Sequence, residues 1–263
     1  MGLGEVILSR RKFIKTATAP ALAGIVPYRD LMQNTAQPAR KVAVFAGHVQ
    51  KSEYPGRYPE NGTGTLSSSG IPEYVFNDNL VQHFRDINPS IDYLAVLANQ
   101  NIPFQLRQQY AQQLDSEIYI EVHHDSAQGS DIKRLQQGEQ TEQKWRELSG
   151  FSVIYHPNNQ HSHESLRLAQ LIADELFQAG FKPNPYHAKD IQGERRPLVD
   201  VTRAVYTGRE YVLRESSMPA VIVEAGVIVN PFEEKTIGQP ETQRRIVESI
   251  DKAVQKYFAE QRR

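Results

Sequence analysis

The sequence predicts an α/β fold: an open, mostly parallel twisted sheet with helices on both faces, carried by one domain. Three observations lead there. Short β-branched runs alternate with stretches of helical periodicity from residue 41 onward, the pattern that builds a parallel sheet. The run PAVIVEAGVIVN is apolar almost throughout, as a strand buried on both faces requires. The chain of 263 residues is 39% hydrophobic and 23% charged, enough apolar mass for one sizeable core.

The elements follow in order. KVAVFAG is a buried strand that stops at Gly47-His48. The 25 residues VQKSEYPGRYPENGTGTLSSSGIPE are rich in Gly, Pro and Ser and form a long loop, of a length that is often functional in a compact domain. EYVFNDNLVQHFRDI carries Val75, Phe76, Leu80, Val81 and Phe84 at helical spacing, with Pro72 placed to open the helix. IDYLAVLA reads as a strand, PFQLRQQYAQQLDS as a helix, and IYIEVHH as a strand ending in two histidines. Residues 128–147 are polar and Gln-rich with no clear apolar face, and read as an inserted segment. GFSVIYH resumes as a strand, and SHESLRLAQLIADELFQAGF is an amphipathic helix with Leu166, Ala169, Ile172, Ala173, Leu176 and Phe177 on one side and Gly180 as its stop. REYVLRESS is a loop or short strand, PAVIVEAGVIVN the last strand, and ETQRRIVESIDKAVQKYFAEQRR a closing helix with Ile246, Ile250, Val254 and Phe258 in register.

Composition excludes several functions. Acidic and basic residues number 31 and 30, so no charge field draws the chain to a polyanion, and no nucleic-acid partner is expected. With no cysteine, disulfides, thiolate zinc sites and cysteine nucleophiles are excluded. Any transition metal must sit on imidazole and carboxylate groups.

At the N-terminus, Ser9-Arg10-Arg11-Lys12-Phe13-Ile14-Lys15 precedes the weakly apolar TATAPALAGIV. The arrangement resembles a twin-arginine export signal, the other reading being the basic start of a surface helix. Residues 1–39 are therefore assigned to signal and linker, with cleavage after Ala23 or nearer Ala39, and 40–263 to the catalytic domain. The apolar run is far short of the ~20 residues that span a bilayer. A periplasmic or extracellular location, with the twin-arginine export machinery as a partner, follows from that reading.

In open α/β sheets, ligands collect beyond the C-terminal ends of the strands. His48, the pair His123 and His124, and Glu224 all fall at or near such ends, on three separate segments. Two histidines and a carboxylate meet the needs of a catalytic zinc with an open fourth position, whereas a histidine at a strand end is also commonly a hydrogen-bonded loop residue. No H-E-x-x-H spacing decides between the two. Neighbouring strand residues point to opposite faces, so only one of His123 and His124 can face such a site.

Taken in order, these segments resemble the zinc-dependent N-acetylmuramoyl-L-alanine amidases of the type 3 family, which remove stem peptides from peptidoglycan, over residues 41 to about 255. The family's first strand ends in a Gly-His pair whose histidine binds zinc, here AGH and His48. Its second ligand is a glutamate opening a helix, with an asparagine four residues later, here EYVFN with Glu73 and Asn77. Its third lies in apolar-Ser-apolar-His-Ala-Asn, here IEVHHDS, which puts His123 on the ligand and His124 where a small residue is usual. Its last strand, P-A-V-L-V-E-x-G-F-x-x-N, places the catalytic glutamate at Glu224. The LRQQ segment resembles the family's Arg-containing helix, and Arg214 a basic position before the last strand.

The resemblance implies a Zn2+ cofactor, peptidoglycan or muropeptides as substrate, Glu224 as general base and acid, and Asn77, Arg214 and Asp125 as substrate-binding residues. In some relatives an insertion at the position of 128–147 blocks the zinc until an activator moves it, which makes a protein activator a candidate partner. FAGHVQ replaces the usual Asp-Pro-Gly-His-Gly-Gly, and Asp125 stands where asparagine is usual. The rival readings are another zinc amide hydrolase, carboxypeptidase-like or formyl-glutamate amidohydrolase-like, and a non-catalytic wall-binding relative. Of the remaining candidates, His161, His163 and Glu164 sit at a helix start, His83 reads as a surface residue, and Tyr54, Tyr58 and Tyr74 could stack on sugar or peptide.

Overall fold

The structure, a computed structural model, describes residues 39–50 and 63–262. The arginine-rich stretch near the N-terminus, Tyr54 and Tyr58 lie outside them. In chain order the strands are β1 (Arg40–Ala46), β2 (Ile91–Val96), β3 (Ile118–Asp125), β4 (Ser152–Tyr155), β5 (Leu198–Asp200), β6 (Val205–Thr207) and β7 (Ala220–Val227). The helices are α1 (Glu73–Gln82), α2 (Phe104–Gln113), α3 (Gly129–Gln136), α4 (Glu142–Trp145), α5 (Ser162–Gln178), α6 (Tyr211–Arg214), α7 (Pro231–Ile237) and α8 (Pro240–Glu260).

The strands form one sheet in the order β2-β1-β3-β7-β4-β6-β5. The first four run parallel, β4 is antiparallel to β7, and β6 is parallel to β4. The mostly parallel sheet expected from the alternation is thus present, with an antiparallel edge. Alternate residues of β3 supply its two faces. Ile118, Ile120 and Val122 join a core with residues of α1, α5 and α8. Tyr119 joins a second core with Phe45, Ala220 and Ile222 on the face that carries α2 and α6. Each such aliphatic side chain taken out of water stabilises the fold by roughly 1.5–3 kcal/mol.

The helical periodicities largely hold, and their failures have local causes. On α8, Ile246, Ile250, Val254 and Phe258 are all buried, joined by Val247, Ala253 and Tyr257. On α5, Phe177 does not share the apolar face: it is 62% exposed, while Leu168 takes the inward place with Ala169, Ile172, Ala173 and Leu176. One residue beyond Leu176 is a rotation of about 100° around the helix, and that carries Phe177 out to solvent. REYVLRESS is corrected from loop or strand to the single helical turn α6, too short to show a period. The segment 128–147 folds as α3 and α4, and Leu135 and Trp145 pack with Leu148, Tyr186, Val227 and Val229 in a third cluster. Among the described residues no helix is long and apolar enough to cross a membrane.

Candidate metal centre

The end of β1 brings the first histidine into place. Gly47 donates its backbone N–H to the Val122 carbonyl (2.7 Å), extending the sheet by one residue. His48 then turns the chain out of the sheet with φ 68°, a left-handed conformation that is uncommon and costly for a residue with a side chain. Its Nε2 lies 3.0 Å from Glu73 Oε2 and its Nδ1 3.1 Å from Thr63 Oγ1. Glu73 is the first residue of α1, where a carboxylate also meets the positive end of the helix dipole. Its Oε1 lies 3.1 Å from His123 Nδ1, and the opposite ring nitrogen, His123 Nε2, lies 3.0 Å from Glu121 Oε1.

One donor atom from each of His48, Glu73 and His123 falls within 4.8 Å of the other two. Two glycines make the approach feasible. A Cβ on Gly47 would stand 2.4 Å from the His123 ring, and one on Gly64, at φ 101°, would stand 2.7 Å from His48 Cδ2 and 2.9 Å from Glu73 Oε2. Burial alone would raise the Glu73 carboxyl, but its bonds to His123 and His48 outweigh this and hold it well below the usual carboxylate range.

This donor set fits zinc. Two imidazole nitrogens and one carboxylate oxygen converge, and a tetrahedral ion held by three protein groups keeps a fourth position open. The nitrogen of each histidine that faces away from the cluster meets an oxygen partner, Thr63 for His48 and Glu121 for His123. Outer partners of that kind orient metal-binding histidines.

His124 points to the other side of β3, as strand alternation requires. Its Nδ1 is 2.7 Å from Asn77 Oδ1, and its ring packs against Phe76 at 5.6 Å between centroids. Burial pushes the His124 imidazole down to about 4, so it is neutral. Asn77 is fully buried and donates through Nδ2 to the Gly47 carbonyl (3.0 Å) and to Glu73 Oε1 (3.4 Å). Asn77, for which the resemblance implies a substrate-binding role, is not among the residues that line the cleft described below; its bonds tie His124 to Glu73 and to the end of β1.

Glu224 arrives on the neighbouring strand. The register of β3 against β7 pairs His123 with Glu224, so both side chains project to the same face. Burial pushes the Glu224 carboxyl up to about 8, and the negative charge of Asp125 adds to the rise. Asp125 directs both oxygens at His187 Nε2, each at 2.8 Å, while His187 Nδ1 meets Glu194 Oε2 at 2.5 Å. Burial would lower the His187 imidazole, but Asp125 and Glu194 together lift it to about 9. His187 lies in a stretch without apolar period, and the only sequence signal for it is the uncommon aspartate at 125, which calls for a cation nearby.

His48, Glu73, His123, Asp125 and Glu224 line one cleft of about 1040 Å³, which is also walled by Phe104 and Tyr211. A sequence model of the type 3 N-acetylmuramoyl-L-alanine amidase family matches residues 42–256. The chain belongs to that family. The germination-specific N-acetylmuramoyl-L-alanine amidase of Bacillus subtilis (strain 168) is 32% identical over 90 residues, a stretch that is 34% of this chain and 38% of that relative. The match therefore spans well under half the length of the curated relative.

Solved amidase structures share the fold. The N-acetylmuramyl-L-alanine amidase Ami1 of Mycobacterium smegmatis superposes with a TM-score of 0.61 at 18% identity, covering 84% of this chain and 97% of that one. The N-acetylmuramoyl-L-alanine amidase of Clostridium difficile 630 gives 0.59 at 18% identity with the same coverage. The CwlD amidase of Clostridioides difficile, solved in complex with the GerS lipoprotein, gives 0.50 at 20% identity, covering 84% and 98%.

Not every residue carried over from the amidase pattern reaches the cleft. Arg214, at the end of α6, is not among the lining residues; its Nε donates to Glu215 Oε1 (2.7 Å) and its side chain is half exposed. Tyr74 is partly buried against the core. Neither His83 nor the His161, His163 and Glu164 group joins a three-residue metal cluster among the described residues. None of residues 128–147 lines the cleft.

Proposed function

We propose that the chain is a zinc-dependent N-acetylmuramoyl-L-alanine amidase that cleaves the amide bond between N-acetylmuramic acid and the L-alanine of the stem peptide. The observation that carries this reading is the convergence of His48, Glu73 and His123 at one cleft, with Glu224 in register beside His123. Zinc held by those three residues would supply Lewis acidity toward the amide carbonyl and acidify a water.

Glu224 is the residue that moves the proton. Its carboxylate oxygen takes a proton from the water that attacks the lactyl carbonyl and passes it to the nitrogen of the departing L-alanine. The rise that burial and the Asp125 charge give this carboxyl favours the second half of that transfer, in which it holds the proton before returning it. Asp125, fastened to His187, fixes the wall of the cleft on the Glu224 side.

A periplasmic or extracellular location after twin-arginine export fits a wall substrate and belongs to the same proposal. The lipoprotein complex of the C. difficile amidase is a precedent for a protein activator. Access to the proposed zinc site does not require such a partner to displace residues 128–147, since these lie outside the cleft.

Elemental analysis with peptide release tests the proposal. Purified protein is expected to carry one zinc per chain and to release soluble peptides from purified sacculi, and to lose both on chelation. Peptide release that persists in metal-free protein would sink it.

A further inference from the structure

Glu121 stands in the middle of the apolar strand β3, two residues before His123 and therefore on the same face. The related pattern described above has serine at this place. A carboxylate that is only 4% exposed in such a strand needs partners, and Glu121 has three. Arg107 Nη1 lies 2.9 Å from Oε1, Tyr119 Oη donates to Oε2, and His123 Nε2 lies 3.0 Å from Oε1. Arg107, itself buried, also donates to the carbonyls of Ala46 (3.1 Å), Ile102 (3.2 Å) and His48. One guanidinium thus grips the backbone at the first histidine and the carboxylate that touches the second.

The two nitrogens of an imidazole point away from one another. With Nε2 turned to Glu121, only Nδ1 can face Glu73 and the centre of the cluster, as found at 3.1 Å. A carboxylate can only accept, so Glu121 holds a proton on Nε2, and a bound metal would take the place of the proton that Nδ1 shares with the Glu73 carboxylate. Glu121 also sits on the far side of the ring from Glu73, which rules it out as a further ligand of the same ion.

We propose that Glu121, anchored by Arg107, is a positioning residue that holds His123 in the Nε2–H tautomer and so makes Nδ1 its zinc-binding atom. This rests on the zinc centre proposed above and adds a specific atom and a specific support to it. A serine cannot replace the carboxylate in this chain, because the shorter side chain would reach neither Arg107 nor the ring. Outer partners of metal-bound histidines are worth about 10–100-fold in metal affinity. Glu121→Leu removes the acceptor facing Nε2, whereas Glu121→Gln keeps one, because Arg107 donates to the same oxygen as His123 and holds the amide oxygen there.

The test is zinc affinity by chelator competition on the full chain, together with nitrogen-15 NMR of the histidine rings in the zinc-loaded wild type. Glu121→Leu is expected to bind zinc about 10–100-fold more weakly than wild type. Tyr119→Phe, which leaves the oxygen facing His123 untouched, is expected to bind nearly as wild type. In the spectrum, His123 is expected to carry its proton on Nε2 and the zinc-shifted resonance on Nδ1. Equal affinity in a folded Glu121→Leu, or zinc on Nε2 of His123, would overturn the role of Glu121 while leaving the metal centre intact. Wild-type protein that takes up no zinc would overturn both. Should Glu121→Leu fail to fold, the wild-type spectrum decides alone.

Discussion

His123 and Glu224 are direct neighbours in the register of β3 and β7, and their side chains enter the cleft from adjacent parallel strands. The sheet itself therefore fixes the spacing between a candidate metal ligand and the candidate proton carrier. Neither residue depends on a flexible loop for its placement. That rigidity is what a site needs when its groups must be held to within a fraction of an ångström.

Replacing Glu224 by glutamine removes the proton carrier and keeps the shape. Hydrolysis of purified peptidoglycan is expected to fall by about 10²–10⁴-fold, with bound zinc and thermal stability nearly unchanged. Turnover close to wild type would remove Glu224 from the mechanism.

The two adjacent histidines should separate cleanly. His123→Ala is expected to lose zinc by elemental analysis. His124→Ala is expected to keep most of it but to lower stability by about 1–3 kcal/mol, since it empties a buried site against Phe76 and Asn77. The cost stays moderate because His124 Nε2 is buried with no hydrogen-bond partner among the described residues, and its removal relieves that burden. A His124→Ala protein without zinc would reverse the assignment of the ligand.

A methyl group at Gly47 would collide with the His123 ring at 2.4 Å, whereas one at Gly129 would meet nothing within 4 Å. Gly47→Ala is expected to weaken zinc binding by at least about tenfold. Gly129→Ala is the matched control and should bind as wild type. Equal affinities for the two variants, measured by chelator competition, would show that the ring can move without loss.

His187 gives a pH signature. Its imidazole titrates near 6.5 when unfolded and is pushed up to about 9 between Asp125 and Glu194. A group whose folded value lies above its unfolded one contributes in full below about pH 6.5, and its contribution is lost as the pH rises through about 9. The difference in unfolding free energy between wild type and His187→Gln is therefore expected to be on the order of 2–3 kcal/mol at pH 6 and to shrink toward zero above pH 9. Urea unfolding at the two pH values checks this, and a gap that grows with pH would contradict the ion-pair reading.

The parts of this fold that are legible in the sequence are those where one residue type repeats with a fixed period. β1, β3 and β7 stand out because β-branched runs buried on both faces have few other uses, and His48 and Glu224 are visible as polar groups at or near the ends of such runs. Glu73 has no such signal. It follows a long loop and opens an ordinary amphipathic helix, and only the family pattern points to it. Arg107 and Glu121 stay hidden for a different reason: a salt bridge between a helix and a strand leaves no period, although a glutamate in so apolar a strand demands a partner. The third core cluster escaped because Leu135, Trp145 and Leu148 are scattered through a polar segment and find their complement far away, in Tyr186, Val227 and Val229.

Mass analysis of the products from purified peptidoglycan bears most directly on the proposed chemistry. Cleavage at the proposed bond yields stem peptides that begin with a free L-alanine amine, and glycan strands whose muramic acid carries a free lactyl carboxylate. Peptides cut within the stem, or intact peptidoglycan after incubation with zinc-loaded protein, would contradict it.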